Sequence, residues 1–244
     1  MAHRQSARID PKNHLREMFA GIAGGYDTIN HVMTWGMDKG WRRRAAAACI
    51  AAGADGVLDL GCGTGDLTKD IIYLAGDKTE VVGFDGSYFM LEIARQKTES
   101  RGENKRVSFV CGDAANLPFP EGSFGCVGLS FAFRNLTFEH PLAERHLAEL
   151  LRVLCPGGQC VILETSQPTF PLIRWFFHLY LRFFVAAVGR LLSGQQGAYR
   201  YLAESTSRFY TVAAMRKLLI TAGFRQVSYR PLFFGAAGIW VAVK

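Results

Sequence analysis

The sequence predicts an α/β chain built on a doubly wound, parallel sheet. Three observations carry this expectation. Short apolar runs alternate with segments of helical periodicity along most of the chain. The first such run ends in a glycine-rich turn, Gly61-Cys62-Gly63-Thr64-Gly65, and a helical pattern follows at once. An aspartate stands at the end of each of the first three runs: Asp59, Asp85 and Asp113. Alternation of strand and helix requires crossover connections, hence parallel strands covered on both faces.

Taken in order, helical periodicity covers 11–22 and 39–52. Strands are expected at 56–60, 80–84, 107–111, 124–130 and 159–164. Each is a short run rich in Val, Leu, Ile or Phe, bounded by residues that favour turns. Helices are expected between them at 66–75, 87–99 and 139–153, and the turn-rich stretch 118–123 precedes the fourth strand. A last helix over 211–222 stops at Gly223, a residue suited to the left-handed cap. Strands at 224–229 and 237–243 close the sheet, which makes seven. The 244 residues fit one domain. It divides into an N-terminal helical cap (1–52), a ligand-binding core (53–167), an apolar helical lid (168–210) and a C-terminal helix with closing strands (211–244).

The segment 168–192 breaks the rhythm. It is rich in Phe, Leu, Tyr and Trp, with Arg174, His178, Arg182 and Arg190 at steps of four and eight residues. Such steps put neighbouring charges near one helical face. Its longest uncharged run, 183–189, is too short to span a bilayer. Three readings stay open: an amphipathic helix lying on a membrane or over a site, a helix buried against the sheet with its arginines reaching outward, or a combination in which the helix caps a site and lines a channel for an apolar ligand.

Hydrophobic residues make up 49% of the chain, enough for a sizeable core. The first 16 residues are polar and basic, with none of the apolar run of a secretory signal. Six cysteines form no C-x-x-C pair, so neither a zinc site nor a disulfide framework is expected. They read as small buried apolar residues in a reducing cytosol. The net charge of +7 (28 basic less 21 acidic) suits an anionic partner, nucleic acid or membrane surface.

The glycine turn points to a ligand. Glycines permit positive φ and let backbone approach a bound molecule closely, and the helix behind the turn opens with unpaired N–H groups. The wording is D-x-G-x-G-x-G, not the G-x-G-x-x-G of dinucleotide binders. Asp85 lies about 20 residues beyond the turn, where an acid accepts ribose hydroxyls.

These residues resemble motif I of class I S-adenosyl-L-methionine (AdoMet) methyltransferases. The resemblance implies that Gly61, Gly63, Thr64 and Gly65 admit AdoMet, with Asp59 at the strand end. It implies that Asp85 holds the ribose, that Asp113 takes the adenine amino group and that the Ala114 N–H meets a ring nitrogen. Ser130, which closes the fourth strand, belongs to the same cofactor set. Two longer stretches narrow the family. Residues 26–41 (YDTINHVMTWGMDKGW) and 152–168 (RVLCPGGQCVILETSQP) resemble the two signatures of the quinone-biosynthesis C-methyltransferases. This family comprises demethylmenaquinone methyltransferase and its ubiquinone-pathway counterpart. Phe133-Arg134-Asn135 and residues 199–205 also fit, so the resemblance runs from about residue 13 to the end. The wording Leu163-Glu164-Thr165-Ser166-Gln167-Pro168 is closer to the menaquinone branch. The chain departs from the pattern at Asp38, where His is usual, at Ile29 and Thr34, at Cys155 before Pro-Gly-Gly, and at Gly125.

The resemblance implies methyl transfer from AdoMet to the ring carbon of a polyprenylated quinol. A hydroquinol carbon becomes nucleophilic when a neighbouring hydroxyl loses its proton. The site must therefore exclude water and favour that loss. Arg134 is the candidate for stabilising the phenolate. It is too basic to act as a base itself, so a water polarised by Arg134 and Asn135 takes the proton. His31 and His140 are alternative bases, or ordinary surface histidines. Tyr26 and Asp27 fold over the cofactor as a lid, and Tyr201 covers the ring or packs in the core. No metal is called for. The expected setting is cytoplasmic, peripheral on the inner face of a membrane; a homodimer is left open. The absence of an N-P-P-Y-like loop after the fourth strand argues against nucleic acid as substrate. A small-molecule O-methyltransferase shares all three acids and stays open.

Overall fold

The computed structural model describes residues 26–51, 53–75, 79–99, 106–185 and 203–244. Two helices, α1 (Tyr26–Met33) and α2 (Met37–Ala51), lead into β1 (Gly56–Leu60). Helix α3 (Asp66–Ala75), β2 (Glu80–Asp85), α4 (Tyr88–Glu99), β3 (Val107–Cys111) and β4 (Phe124–Ser130) follow. Then come the short α5 (Phe133–Thr137), α6 (Ala143–Val153), β5 (Leu154–Thr165) and α7 (Pro171–Tyr180), which runs into one π-helical turn, Leu181–Val185. The chain ends with α8 (Val212–Ala222), β6 (Gln226–Leu232) and β7 (Ala237–Val243).

One seven-stranded sheet has the order β3-β2-β1-β4-β5-β7-β6. Strands β1 to β5 are mutually parallel. Alternate residues serve opposite faces, as the pleat demands. Leu58, Leu60, Val127, Leu129 and Ile162 pack under α6 and α8 with Leu150, Met215 and Trp240. Val57, Cys126, Val161 and Leu163 pack under α2 and α3 with Ala45, Cys49 and Ile71. Chain order reverses between β1 and β4, so a crevice opens beyond their carboxyl ends, the usual place for a ligand in such sheets.

Among the described residues the expected strands and helices are present, with instructive differences. The sheet is mixed, because β7 runs antiparallel to both β5 and β6. Only a turn at Phe233–Gly235 joins β6 to β7, and so tight a link forces reversal. The helix expected over 139–153 begins only at Ala143. Pro141 biases His140 away from helical backbone, and Glu139 has φ +52°. Strand β5 begins five residues early, interrupted by an irregularity between the Phe124–Leu154 and Cys126–Gln159 pairs. Phe224 is a buried plug before β6 rather than part of it. Helix α8 stops as read at Gly223, which has φ +117°, and at its start Thr211 Oγ1 accepts the Ala214 N–H at 3.2 Å. The helical segment expected at 11–22 and residues 186–192 of the apolar block lie outside the described residues. Among the cysteines, Cys49, Cys62, Cys126 and Cys160 are buried as expected, but Cys111 is exposed.

Helix α7 is not buried against the sheet. None of its residues is buried, and Leu172, Trp175, Phe176 and Leu179 stand exposed on one stripe that continues to Phe183. Its two basic side chains bond to the segment that leads into the helix. Arg174 Nε donates to the Pro168 carbonyl at 2.8 Å, and His178 Nε2 lies 2.9 Å from Gln167 Oε1. The Tyr180 hydroxyl donates to the Met33 carbonyl, and the Phe184 ring stacks on Trp35 with centroids 5.9 Å apart. No helix among the described residues is long and apolar enough to cross a membrane.

Candidate active site

Beyond β1 the backbone turns sharply over the end of β2. The Gly61 and Cys62 N–H groups both donate to the Phe84 carbonyl, at 2.7 and 3.0 Å. Gly61 has φ +72°, and a Cβ there would lie 2.6 Å from Ala132 Cβ, so any side chain would drive β1 and β4 apart. Gly63 has φ +54° and meets nothing within 4 Å. Its N–H donates to Asp85 Oδ2 at 2.9 Å, while Asp85 Oδ1 accepts the Ser87 N–H at 2.8 Å. One carboxylate thus fixes both the glycine turn and the start of α4. Past β3, Asp113 Oδ1 accepts the Ala115 N–H at 3.0 Å.

These groups line a cavity of about 200 Å³ in the crevice between β1 and β4. Of the residues singled out from sequence, Gly61, Gly63, Asp85, Asp113, Ala114, Ser130, Asn135 and His140 line it. The Asn135 Oδ1 is buried and has no hydrogen-bond partner among the described residues. Sequence reasoning missed Ser87, Met90, Phe131, Ala132, Leu136 and His146. Ser87, two residues beyond Asp85, was readable from the aspartate-turn pattern; the others carry no local signal.

Several expected residues stand elsewhere. Arg134 is only 4% exposed and is not on the cavity wall. Its Nη1 donates to Thr206 Oγ1 at 2.7 Å and lies 3.8 Å from Glu164 Oε1. The guanidinium points into the protein, toward β5 and the helical residues 203–208. The thiol of Cys62 is buried and its pKa pushed well up by that burial, which makes it a packing group. Tyr201 and the Tyr26 side chain lie outside the described residues.

Thr64 and His31 belong to a polar clasp that holds α1 and α2 across the glycine turn. The Thr64 hydroxyl donates to Asp27 Oδ1 at 2.7 Å, and Asp27 pairs with Lys97 at 2.6 Å. Lys97 also reaches Asp66, which reaches Arg42, at 3.1 and 3.2 Å. Arg42 then pairs with Asp38 at 2.5 Å. His31 Nδ1 lies 2.5 Å from the same Asp38 carboxylate. Burial pushes the Asp38 carboxyl up, but the Thr34 hydroxyl, Arg42 and His31 outweigh it and hold it below the usual range. His31 is therefore a partner of Asp38 in this clasp and not a wall of the cavity. Gly65 opens α3, its carbonyl accepting the Lys69 N–H at 2.9 Å.

Asp59 is fully buried in β1 and one residue removed from the cavity wall. The Thr68 hydroxyl donates to its Oδ2 at 2.5 Å, and its Oδ1 has no partner among the described residues. Burial pushes its carboxyl up to about 7, with Asp85 and Asp66 adding to the rise and the Thr68 bonds opposing it. The carboxyl ionises in the unfolded chain near pH 4 but stays neutral in the fold to about pH 7. Its contribution is thus whole below about pH 4 and is lost as pH climbs to about 7, on the order of 4 kcal/mol in all. Asp59→Asn should flatten that loss. The melting temperature of the parent should fall between pH 5 and pH 8 by more than that of the variant. Parallel pH curves for the two proteins would refute this account.

A mixed seven-stranded sheet with β7 antiparallel, a crevice at the β1–β4 reversal, a glycine turn beyond β1 and acids ending β2 and beyond β3 define the class I AdoMet-dependent methyltransferases. Among solved structures, a putative AdoMet-dependent methyltransferase of Methanococcus maripaludis shares the fold at TM-score 0.63 and 16% identity, covering 93% of each chain. The sequence matches the ubiE/COQ5 methyltransferase family over residues 7–244, and the chain belongs to that family. It is 40% identical to a demethylmenaquinone methyltransferase of Deinococcus radiodurans, over 96% of this chain and 94% of the relative. It is 35% identical to a ubiquinone/menaquinone biosynthesis C-methyltransferase of Pseudomonas fluorescens, over 93% and 88%. The cavity suits the AdoMet of this class: the turn is open at Gly63, Asp85 and Asp113 supply carboxylates, and Asn135 Oδ1 is left to pair with a bound molecule.

Proposed function

We propose that the protein methylates a ring carbon of a polyprenylated quinol, with demethylmenaquinol as its substrate. The observation that carries this reading is near-full-length similarity to relatives named for that reaction. Bound AdoMet supplies the methyl group. The chain's own part is to hold and orient. Asp85 and Asp113 grip the nucleoside; Gly61 and Gly63 keep the backbone flat against it. Asn135, five residues past the end of β4, offers a buried acceptor to a quinol hydroxyl or to a water that takes its proton. In a desolvated pocket such a placed acceptor contributes more than in water, because its dipole is already oriented. Labelled AdoMet offered with demethylmenaquinol, a demethylated benzoquinol and a catechol tests the reading. Label on the naphthoquinol carbon is expected. Label confined to a catechol oxygen would make the protein an O-methyltransferase, and preference for the benzoquinol would move it to the ubiquinone pathway.

The same reading places the protein on a membrane surface, where a polyprenyl substrate resides. Supporting it is the exposed stripe of α7, with Trp175, Phe176 and Phe183 each more than half exposed, and Trp35, stacked on Phe184, at 74%. Burial of one such ring is worth about 1.5–3 kcal/mol. Replacing Trp175, Phe176 and Phe183 together with Ser should therefore cut co-sedimentation with anionic vesicles at least tenfold. The melting temperature should hold, because none of the three packs in the core. Undiminished sedimentation would remove the stripe from any membrane role.

A further inference from the structure

We infer that the turn between β6 and β7, Phe233-Phe234-Gly235, is a second membrane-inserting element beside α7, and that the surface around it is built for an anionic bilayer. The inference rests on the membrane reading above and adds to it a further contact and the class of lipid. The turn carries two costs that the fold does not repay. All three residues are left-handed, at φ +41°, +54° and +87°. Gly235 accepts that conformation freely, but a bulky side chain resists it because of its Cβ. The two rings also stand in water, Phe233 at 53% and Phe234 at 74% exposure. Phe233 rests on the half-buried Trp41, with centroids 6.5 Å apart, and Phe234 on Phe233 at 5.6 Å. Asn, Asp or Gly would make the same turn without either cost. Two phenylalanines in their place call for an apolar medium to cover them.

The position and charge of the turn say which medium. A Cβ at Gly235 would lie 3.4 Å from Pro168 Cα. The Pro168 carbonyl accepts Arg174 Nε from α7. The far end of α7 reaches Met33 through Tyr180 and meets Trp35 through Phe184. Helix α2 follows, and its Trp41 returns to Phe233. This closed circuit of contacts makes the turn, α7 and Trp35 neighbours on one side of the protein. Asp38 is the only acid in the segments 28–51, 166–185 and 224–244. It is 1% exposed and paired with Arg42. Lys39, Arg43, Arg44, Arg182 and Arg230 in the same segments are exposed. Exposed rings among cations, with no exposed acid in these segments, match a bilayer whose acyl region takes the rings and whose anionic headgroups attract the cations. A second copy of the chain fits worse, because a two-fold pairing sets the face against itself, cation on cation.

Co-sedimentation with vesicles of phosphatidylcholine, alone or mixed with phosphatidylglycerol, tests the inference. The parent should bind the mixed vesicles at least about tenfold more tightly. Phe234→Asn keeps a residue that tolerates left-handed backbone and removes the ring. It should melt no lower than the parent and bind S-adenosylhomocysteine equally well, yet lose about fivefold or more in vesicle affinity. Arg43→Gln with Arg44→Gln should reduce the preference for the anionic vesicles about tenfold and leave binding to the neutral ones unchanged. Parent-like sedimentation of Phe234→Asn, beside a loss in the Trp175, Phe176 and Phe183 variant, would overturn the inference and leave the membrane reading standing. A parent that sediments with neither vesicle would overturn both. Equal binding to neutral and anionic vesicles would overturn the lipid assignment. A Phe234→Asn protein that melts well below the parent, or fails to fold, would make the ring part of the fold and end the proposal. So would a dimeric parent that Phe234→Asn turns monomeric, since the turn would then join two copies.

Discussion

Asp85→Ala should weaken AdoMet binding by about 1.5–3 kcal/mol, the cost of deleting a carboxylate that accepts charge-assisted bonds. The carboxylate has two tasks. It faces the cavity at the end of β2, where ribose hydroxyls can donate to it. It also accepts the Gly63 and Ser87 N–H groups, at 2.9 and 2.8 Å, so its removal leaves both donors without that acceptor and loosens the turn. Gly63→Val should do worse. At φ +54° a β-branched side chain is strained whatever space it has, and the space here is the cavity itself. Cofactor binding should drop below detection while the sheet remains folded, because a Cβ at Gly63 meets no other group of the protein within 4 Å. Titration calorimetry reads both effects. Parent-like affinity in Asp85→Ala would mean that the ribose lies elsewhere.

How far the site was legible in the sequence follows from how local its determinants are. The glycine turn, Asp85 and Asp113 are each set by a strand ending in a turn, a pattern a few residues long. Where a side chain points after a strand depends on the whole fold. Arg134 and Asn135 are neighbours at the end of β4, and sequence reasoning gave both to the substrate. The short helix α5 separates them: Asn135 faces the cavity, and Arg134 faces Glu164 and Thr206. Asp59 reads as a ligand-binding acid but is buried one residue short of the wall, tied to Thr68. Asp38 is a departure from the family wording that the fold explains in part. It is 1% exposed, and its charge is matched by His31 and Arg42. The apolar stripe of α7 was readable from its spacing; its exposure was not, because periodicity identifies an apolar face without saying what covers it. His146 reaches the cavity only because α6 docks on the segment after β3 and on α5, tertiary contacts with no trace in the local pattern.

The inward turn of Arg134 changes what its replacement, and that of its partner, should do. Glu164 is fully buried at the end of β5. Its carboxylate accepts the Arg134 N–H at 3.0 Å, the Thr165 N–H at 2.8 Å and the Thr165 hydroxyl at 3.0 Å, with the guanidinium 3.8 Å away. Glu164→Ala strips the counter-charge from a guanidinium that is itself 4% exposed. Breaking a buried pair in this way costs about 3–5 kcal/mol, since the remaining charge stays desolvated. For a chain of this size that lowers the melting temperature by roughly 6–20 °C. Glu164→Gln keeps the shape and one acceptor oxygen, so it should lose less. Arg134→Lys separates two roles for the arginine. Lysine retains the charge but not the planar fork that reaches Thr206. If the guanidinium serves the fold, the variant should melt several degrees lower while its folded fraction retains most of the parent's kcat. If it faced the quinol as a phenolate donor, the variant should melt like the parent and lose about 10²-fold in kcat with AdoMet binding intact. The position of Nη1, 2.7 Å from Thr206 and off the cavity wall, favours the first result. A thermally unchanged, catalytically dead Arg134→Lys would return the arginine to the reaction and leave Asn135 as its companion.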